Sequence, residues 1–85
     1  METWNYRAVH RLHKHQVADE HVYAIHEAYY SKSGIIEAIS KDPVEPYGET
    51  LDELKAVLMR MTDSLTKPIL EWDDISDRNP LVEGE

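Results

Sequence analysis

Polar and apolar positions alternate along residues 4–12. One side of this stretch holds Trp4, Tyr6, Ala8, His10 and Leu12, and the other holds Asn5, Arg7, Val9, Arg11 and His13. A period of two with aromatic residues on one side predicts a half-buried β-strand. The polar residues 13–21 that follow predict a loop.

A second strand is predicted over residues 22–30, which are rich in aromatic and β-branched residues. Its two sides are similar in apolar content, so the pattern leaves open which of them is buried. One side holds Val22, Ala24, His26, Ala28 and Tyr30, and the other holds Tyr23, Ile25, Glu27 and Tyr29.

The residues Ser31-Lys32-Ser33-Gly34 predict a turn in which Gly34 takes a positive φ. Residues 35–40 then predict a third strand, antiparallel to the second. A four-residue turn would place Tyr30 opposite Ile35 and His26 opposite Ile39.

A long helix is predicted after a stiff connection over residues 41–48, where Pro43 and Pro46 exclude regular structure. Thr50 is the expected N-cap, and Glu53 completes a capping box. Pro68 ends the helix. Helical spacing predicts one buried stripe, formed by Leu51, Leu54, Val57, Leu58, Met61 and Leu65.

The segment after Pro68 predicts a clasp that folds back on the domain through Ile69, Leu70, Trp72 and Ile75. Residues 76–85 have little apolar surface and are expected to fray as an acidic tail. The predicted fold is α+β, with one domain over residues 1–75. A three-stranded antiparallel sheet is covered on one face by one long helix, with the clasp at the C-terminus.

Composition and charge narrow the choice of partner. The 85 residues are 41% hydrophobic and 31% charged, which is a globular balance. Residues 42–85 hold four basic and twelve acidic residues and therefore the whole net charge of −8. Because an acidic surface repels phosphate backbones, direct binding of nucleic acid is not expected. A protein, either a second copy of the chain or another one, is the favoured partner.

The location of the protein is suggested by what the sequence lacks. There is no cysteine, which fits a reducing compartment. No apolar run approaches the ~18 residues of a membrane span, and the first residues do not form a signal peptide. We therefore expect a cytoplasmic protein with no membrane partner.

Several segments resemble an uncharacterised family of short bacterial proteins. They are residues 3–7 (TWNYR), 23–30 (YAIHEAYY), 43–46, 48–51 (GETL) and 67–70 (KPIL). The resemblance covers about residues 3–72 and implies a compact bacterial domain. The layout is also similar to that of HicB-type antitoxin domains, in which strands run into a helix that begins like Gly48 to Glu53. The Pro-Gly-Cys segment that such domains place before this helix is missing here.

Histidines are concentrated in the first 26 residues, at positions 10, 13, 15, 21 and 26. Neutral imidazoles are ligands for zinc, copper and nickel, so a metal site around His10, His13 and His15 is one hypothesis. The spacing matches no known metal motif, and a solvated loop is the simpler interpretation. The sequence predicts no cofactor.

His26 and Glu27 lie among tyrosines, and such groups can carry acid–base chemistry. Adjacent strand residues point to opposite faces, so these two side chains cannot share one site. A small enzyme or ligand-binding domain with a pocket around His26 is therefore the second hypothesis. The sequence holds no nucleophile–base constellation that would designate catalytic residues.

The leading hypothesis is a non-enzymatic protein-interaction module. It rests on a sheet face that the helix leaves open and that would carry tyrosine and arginine, two types enriched at interfaces. The candidate binding residues, including the histidine of the second hypothesis, are Arg7, Arg11, Tyr23, Ile25, His26 and Tyr29.

Overall fold

A computed structural model of the chain describes residues 3–76 and 81–82. The elements in chain order are β1 (Thr3–His13), β2 (Glu20–Tyr30), β3 (Ile36–Ser40), α1 (Leu51–Ser64), β4 (Leu70–Glu71), α2 (Trp72–Ser76) and β5 (Leu81–Val82). The α+β class is confirmed. None of the described helices is both long and apolar enough to cross a membrane.

The sheet has the strand order β4-β1-β2-β3-β5. β1 and β2 pair antiparallel over their full lengths, from Thr3 opposite Tyr30 to His13 opposite Glu20. β3 is antiparallel to β2, which confirms the three central strands. The two-residue strands β4 and β5 add parallel edges, so the sheet is mixed rather than purely antiparallel. Strands this short have no periodicity that a sequence pattern could detect.

The predicted register of β2 and β3 is wrong. Ile36 lies opposite Tyr30, and Ile39 lies opposite Ala28, with a register shift between Tyr29 and Tyr30. The turn takes five residues, because the Ser31 N–H donates to the Ile35 carbonyl at 2.8 Å. The positive φ predicted for Gly34 is confirmed at 86°.

The β1–β2 pairing divides their side chains between two faces. We call the side toward α1 the helix face; it carries Trp4, Tyr6, Ala8, His10, Tyr23, Ile25, Glu27 and Tyr29. We call the other side the clasp face; it carries Arg7, Val9, Arg11, Ala24, His26 and Ala28. The open question about β2 is thereby answered, since the small Ala28 side chain turns away from α1.

The hydrophobic core lies on the clasp face, under the C-terminal segment. Its buried members are Val9, Ala28, Ile39, Trp72 and Ile75. The predicted clasp is therefore confirmed, but the prediction that only one face of the sheet is covered is wrong. A short α2 and a long α1 cover opposite faces.

The start of α1 follows the predicted cap. The Thr50 side chain accepts a hydrogen bond from the Glu53 N–H at 3.1 Å. The Glu53 carboxylate accepts from the Glu49 N–H at 2.8 Å, one residue before the position that a regular capping box uses. A Cβ at Gly48 would lie 2.5 Å from the Leu54 nitrogen, so a glycine lets the connection approach the first turn closely.

The prediction that the apolar stripe of α1 is buried is wrong for Leu51, Leu58 and Leu65. Met61 is 7% exposed, whereas Leu51 is 66%, Leu58 44% and Leu65 64% exposed. A cavity separates the helix at Val57 from the sheet, and the connection that carries Tyr47 lines this cavity too. The helix therefore meets the sheet closely near Met61, whereas Leu54 and Val57 are half-buried and the three exposed leucines lie at the surface.

The predicted frayed tail falls mostly on residues outside those described. Within residues 76–85, Leu81–Val82 form β5 beside Ile39–Ser40. For residues 77–80 and 83–85, fraying stays a prediction.

We expect Ile75→Ala to lower the free energy of unfolding by ~2–5 kcal/mol, because Ile75 is 2% exposed in the core. Leu51→Ala, a deletion of similar size on α1, should change it by less than ~0.5 kcal/mol. Urea denaturation of both variants measures the difference. Equal losses would mean that Leu51 contributes as much to stability as a core residue and would contradict its exposure.

Candidate functional site

The candidate binding residues do not form one surface. Arg7 and Arg11 lie on the clasp face, where they pair with His26 and Val22 across the sheet. The candidates Tyr23, which is exposed, and Ile25 and Tyr29, which are half-buried, lie on the helix face. The predicted Tyr/Arg surface is therefore absent, because its residues are divided between the two faces of the sheet.

Both arginines hold the clasp in place. Arg7 donates from Nη1 to the Tyr30 hydroxyl at 2.9 Å and from Nη2 to the Pro68 carbonyl at 2.7 Å. The guanidinium of Arg11 lies 4.0 Å from the ring centroid of Trp72, which is a cation–π contact. These contacts assign the arginines a structural role.

His26 is buried beneath Trp72, with the two ring centroids 5.7 Å apart. Its Nδ1–H donates to the Ser40 carbonyl at 2.9 Å, which favours the tautomer with a free Nε2. Burial lowers the pKa of His26 below 6.5, and the positive charge of Arg11 adds to this, whereas the Ser40 bond and Asp42 oppose it. The imidazole is therefore a neutral, packed side chain.

The prediction that His26 and Glu27 cannot share a site is confirmed, since they lie on opposite faces. Both side chains are buried. Three open cavities border α1 or the connection before it, and all three are lined by residues other than His26. An enzymatic role for this histidine stays a prediction.

The other histidines are not brought together as the metal-site hypothesis would require. His10 lies on the helix face and His13 on the opposite one. His10 Nδ1 lies 2.6 Å from a Glu71 carboxylate oxygen, and its Nε2 lies 2.8 Å from Nδ1 of His21. Within residues 3–76, no three histidine or carboxylate side chains are grouped so that they could hold a metal ion. The arrangement is a carboxylate–imidazole–imidazole hydrogen-bond chain at the sheet surface.

An apolar groove lies where the end of α1 meets β2. Its volume is about 290 Å³, and its lining residues are Ala8, Tyr23, Ala24, Ile25, Met61, Thr62 and Leu65. We call it the β2 groove. Tyr23 and Leu65 are largely exposed at its rim. The groove therefore presents apolar surface to solvent.

The edge of β2 beside this groove is open. The Ile25 carbonyl accepts from the Val44 N–H at 2.9 Å, so the backbone of Ile25 faces away from β1. The backbone groups of every second residue along a strand point to the same side, so those of Tyr23 and His21 also face away from β1. Among the described residues, no backbone hydrogen bond reaches these two positions from that side. The edge also has no lysine, proline or bulge of the kind that usually protects such strands.

Sequence reasoning missed this site because it interpreted the leucines of α1 as core. The difference in length between the second and third strands could have indicated the open edge. Pro43 ends the third strand early, so β3 can pair with only the last part of β2. The first half of a long second strand must then lie at an edge.

We expect the protein to lose stability as the pH falls below about 6.5, because the unfolded chain protonates His26 more readily than the folded one. This loss begins near pH 6.5 and grows until the pH reaches the lower pKa of the folded state. His26→Gln should reduce the slope of unfolding free energy against pH. His15→Gln, at an exposed loop position, should not; identical slopes in all three proteins would contradict the burial of a neutral imidazole.

Comparison with known proteins gives no match: no protein-family model matches the chain, and no curated protein or solved structure is similar to it.

Proposed function

We propose that this chain is a non-enzymatic protein-interaction module that binds an extended segment of a partner protein along the edge of β2. The observation that carries the proposal is the unpaired edge at His21 and Tyr23, directly beside the β2 groove. The resemblance to a family of short bacterial proteins and the lack of cysteine favour a bacterial cytoplasmic setting.

Strand addition would use both features together. The backbone groups of His21 and Tyr23 would supply main-chain hydrogen bonds to the incoming segment, and these bonds are independent of its sequence. Side chains of a strand alternate, so every second residue of the segment would point toward the helix face. The β2 groove would accept one large apolar side chain there, between Tyr23 and Leu65. Affinity would come from the backbone and selectivity from the groove.

The negative net charge of the chain favours a basic partner segment. At −8, two copies of this chain repel each other, whereas a basic segment is attracted. The favoured occupant is therefore a strand with an apolar anchor flanked by lysine or arginine. Its association rate should fall with added salt, since the Debye length shortens to ~8 Å at physiological ionic strength.

A phage-displayed library of random peptides, selected on the immobilised protein, tests the proposal. We expect enriched peptides to combine an apolar residue with basic neighbours. Leu65→Ser should weaken their binding about tenfold, because it removes apolar surface at the groove. Titration calorimetry of the selected peptides measures this change.

Leu51→Ser is the matched control, since Leu51 is as exposed as Leu65 (66% against 64%) but lies at the other end of α1. It should leave peptide binding unchanged. Equal effects of the two variants, or no enriched sequence, would contradict the proposal. A dimer detected by sedimentation and lost in Tyr23→Lys would instead assign the edge to a second copy of the chain.

A further inference from the structure

A second cavity, separate from the β2 groove, lies between the helix face and the middle of α1. Its volume is about 260 Å³, and its lining residues are Trp4, Tyr6, Glu27, Val44, Glu45, Tyr47, Val57 and Arg60. We call it the aromatic cavity. Its lining residues are all different from those of the β2 groove.

Three aromatic rings form the walls of the aromatic cavity. Trp4 and Tyr6 stand almost perpendicular, at 85°, with their centroids 5.2 Å apart. Tyr47 contributes a third, largely exposed ring from the connection before α1. In such a T-shaped pair the edge of one ring covers part of the face of the other, and the ring surface that still borders the cavity would attract a cation through its quadrupole.

Glu27 supplies a negative charge to the same cavity. Its side chain is buried, and one of its carboxylate oxygens accepts a hydrogen bond from the Tyr29 hydroxyl. This hydroxyl lies on the same strand face and fixes the orientation of the carboxylate. A buried carboxylate is costly unless hydrogen bonds or a positive charge compensate it, so the cavity favours a cationic ligand.

We propose that the aromatic cavity binds the alkylammonium group of an organic cation. The ammonium nitrogen would lie toward Glu27, and its carbon substituents would contact Trp4, Tyr6 and Tyr47. Both contributions act on the same charge, the carboxylate by direct attraction and the rings by cation–π interaction. An inorganic cation would use the carboxylate but gain little from three aromatic walls.

The shape of the surroundings favours an elongated cation. A shallower cavity of about 540 Å³ adjoins this one, sharing Tyr47, Val57 and Arg60, and is lined further by Glu49 and Glu53. Carboxylates therefore continue along the surface from the aromatic cavity toward the start of α1. A polyamine, or a lysine side chain within a peptide, has the matching combination of alkyl chain and positive charge.

Arg60 occupies one lip of the aromatic cavity. Its guanidinium carbon lies 6.0 Å from the ring centroid of Tyr6, at the outer limit of a cation–π contact. Arg60 is exposed and therefore competes with a ligand for the same ring. Its removal should strengthen binding.

NMR titration of the whole chain tests the proposal with four probes: tetramethylammonium, spermidine, a short peptide carrying lysine, and the same peptide carrying trimethyllysine. The two indole N–H signals give an internal comparison, because Trp4 lines the cavity whereas Trp72 is buried on the clasp face. We expect a saturable shift of the Trp4 signal and none at Trp72. Binding of the free amines would identify a small-molecule cation as the ligand, and binding of the peptides alone would identify a lysine side chain.

Paired variants separate the cavity from general charge effects. Glu27→Gln should weaken binding about tenfold or more, whereas Glu20→Gln, an equal charge change on the exposed hairpin, should have no effect. Arg60→Gln should strengthen binding by a few-fold, and Lys55→Gln, which removes a charge elsewhere on α1, should not.

If Glu27→Gln fails to fold, Tyr47→Ala provides a second test. Tyr47 is 71% exposed, so its replacement should not disturb the fold. It should weaken binding about tenfold, and Ile35→Ala, which shortens a similarly exposed side chain (66%) in the turn before β3, should leave binding unchanged. Three results would overturn the proposal: no shift at Trp4 with any probe, equal shifts at both indoles, or equal losses in the variants and their controls.

Discussion

The antiparallel pairing of β1 with β2 is the constraint on which the rest of this structure depends. It runs over all eleven residues of each strand, and it pairs even-numbered residues of β1 with odd-numbered residues of β2. Every side chain is thereby assigned to one face. A slip by one residue would move β2's whole set of side chains to the other face. The pairing thus places Ala28 in the core and Glu27 beside the aromatic rings.

The two faces are covered by different means. The clasp face receives Trp72 and Ile75, and two arginines hold this cover through a carbonyl bond and a cation–π contact. The helix face receives α1, which is longer but approaches the sheet closely only near Met61. A chain of 85 residues buries little area in total, and here the buried hydrophobic cluster lies on the clasp face. The other face then retains cavities that a ligand or partner can fill.

Much of this fold was predictable from local patterns, and the errors have identifiable causes. The alternation around Tyr6 and the Thr50 cap are short-range signals, and both held in the structure. Which residues share a face across two strands depends on the loop between them, and the loop's pairing offset has no sequence signature. For this reason the prediction placed Arg7 and Tyr23 on one surface, whereas they lie on opposite faces of the sheet. The burial of Leu51 was misjudged because amphipathic spacing shows that a stripe exists but not how far a sheet extends beneath it.

The adjacent pair His26 and Glu27 shows how one short segment can hold two different roles. His26 turns toward the clasp, where Trp72 covers it, and burial lowers its pKa, so the imidazole stays neutral as the fold requires. Glu27, the next residue, turns toward a cavity lined by aromatic rings and has the Tyr29 hydroxyl as a hydrogen-bond donor. The packing of the chain itself satisfies the neutral His26. The Glu27 carboxylate lies beside an open cavity, where a cationic ligand could contact it. The face that contributes less to stability is therefore the one on which we place binding.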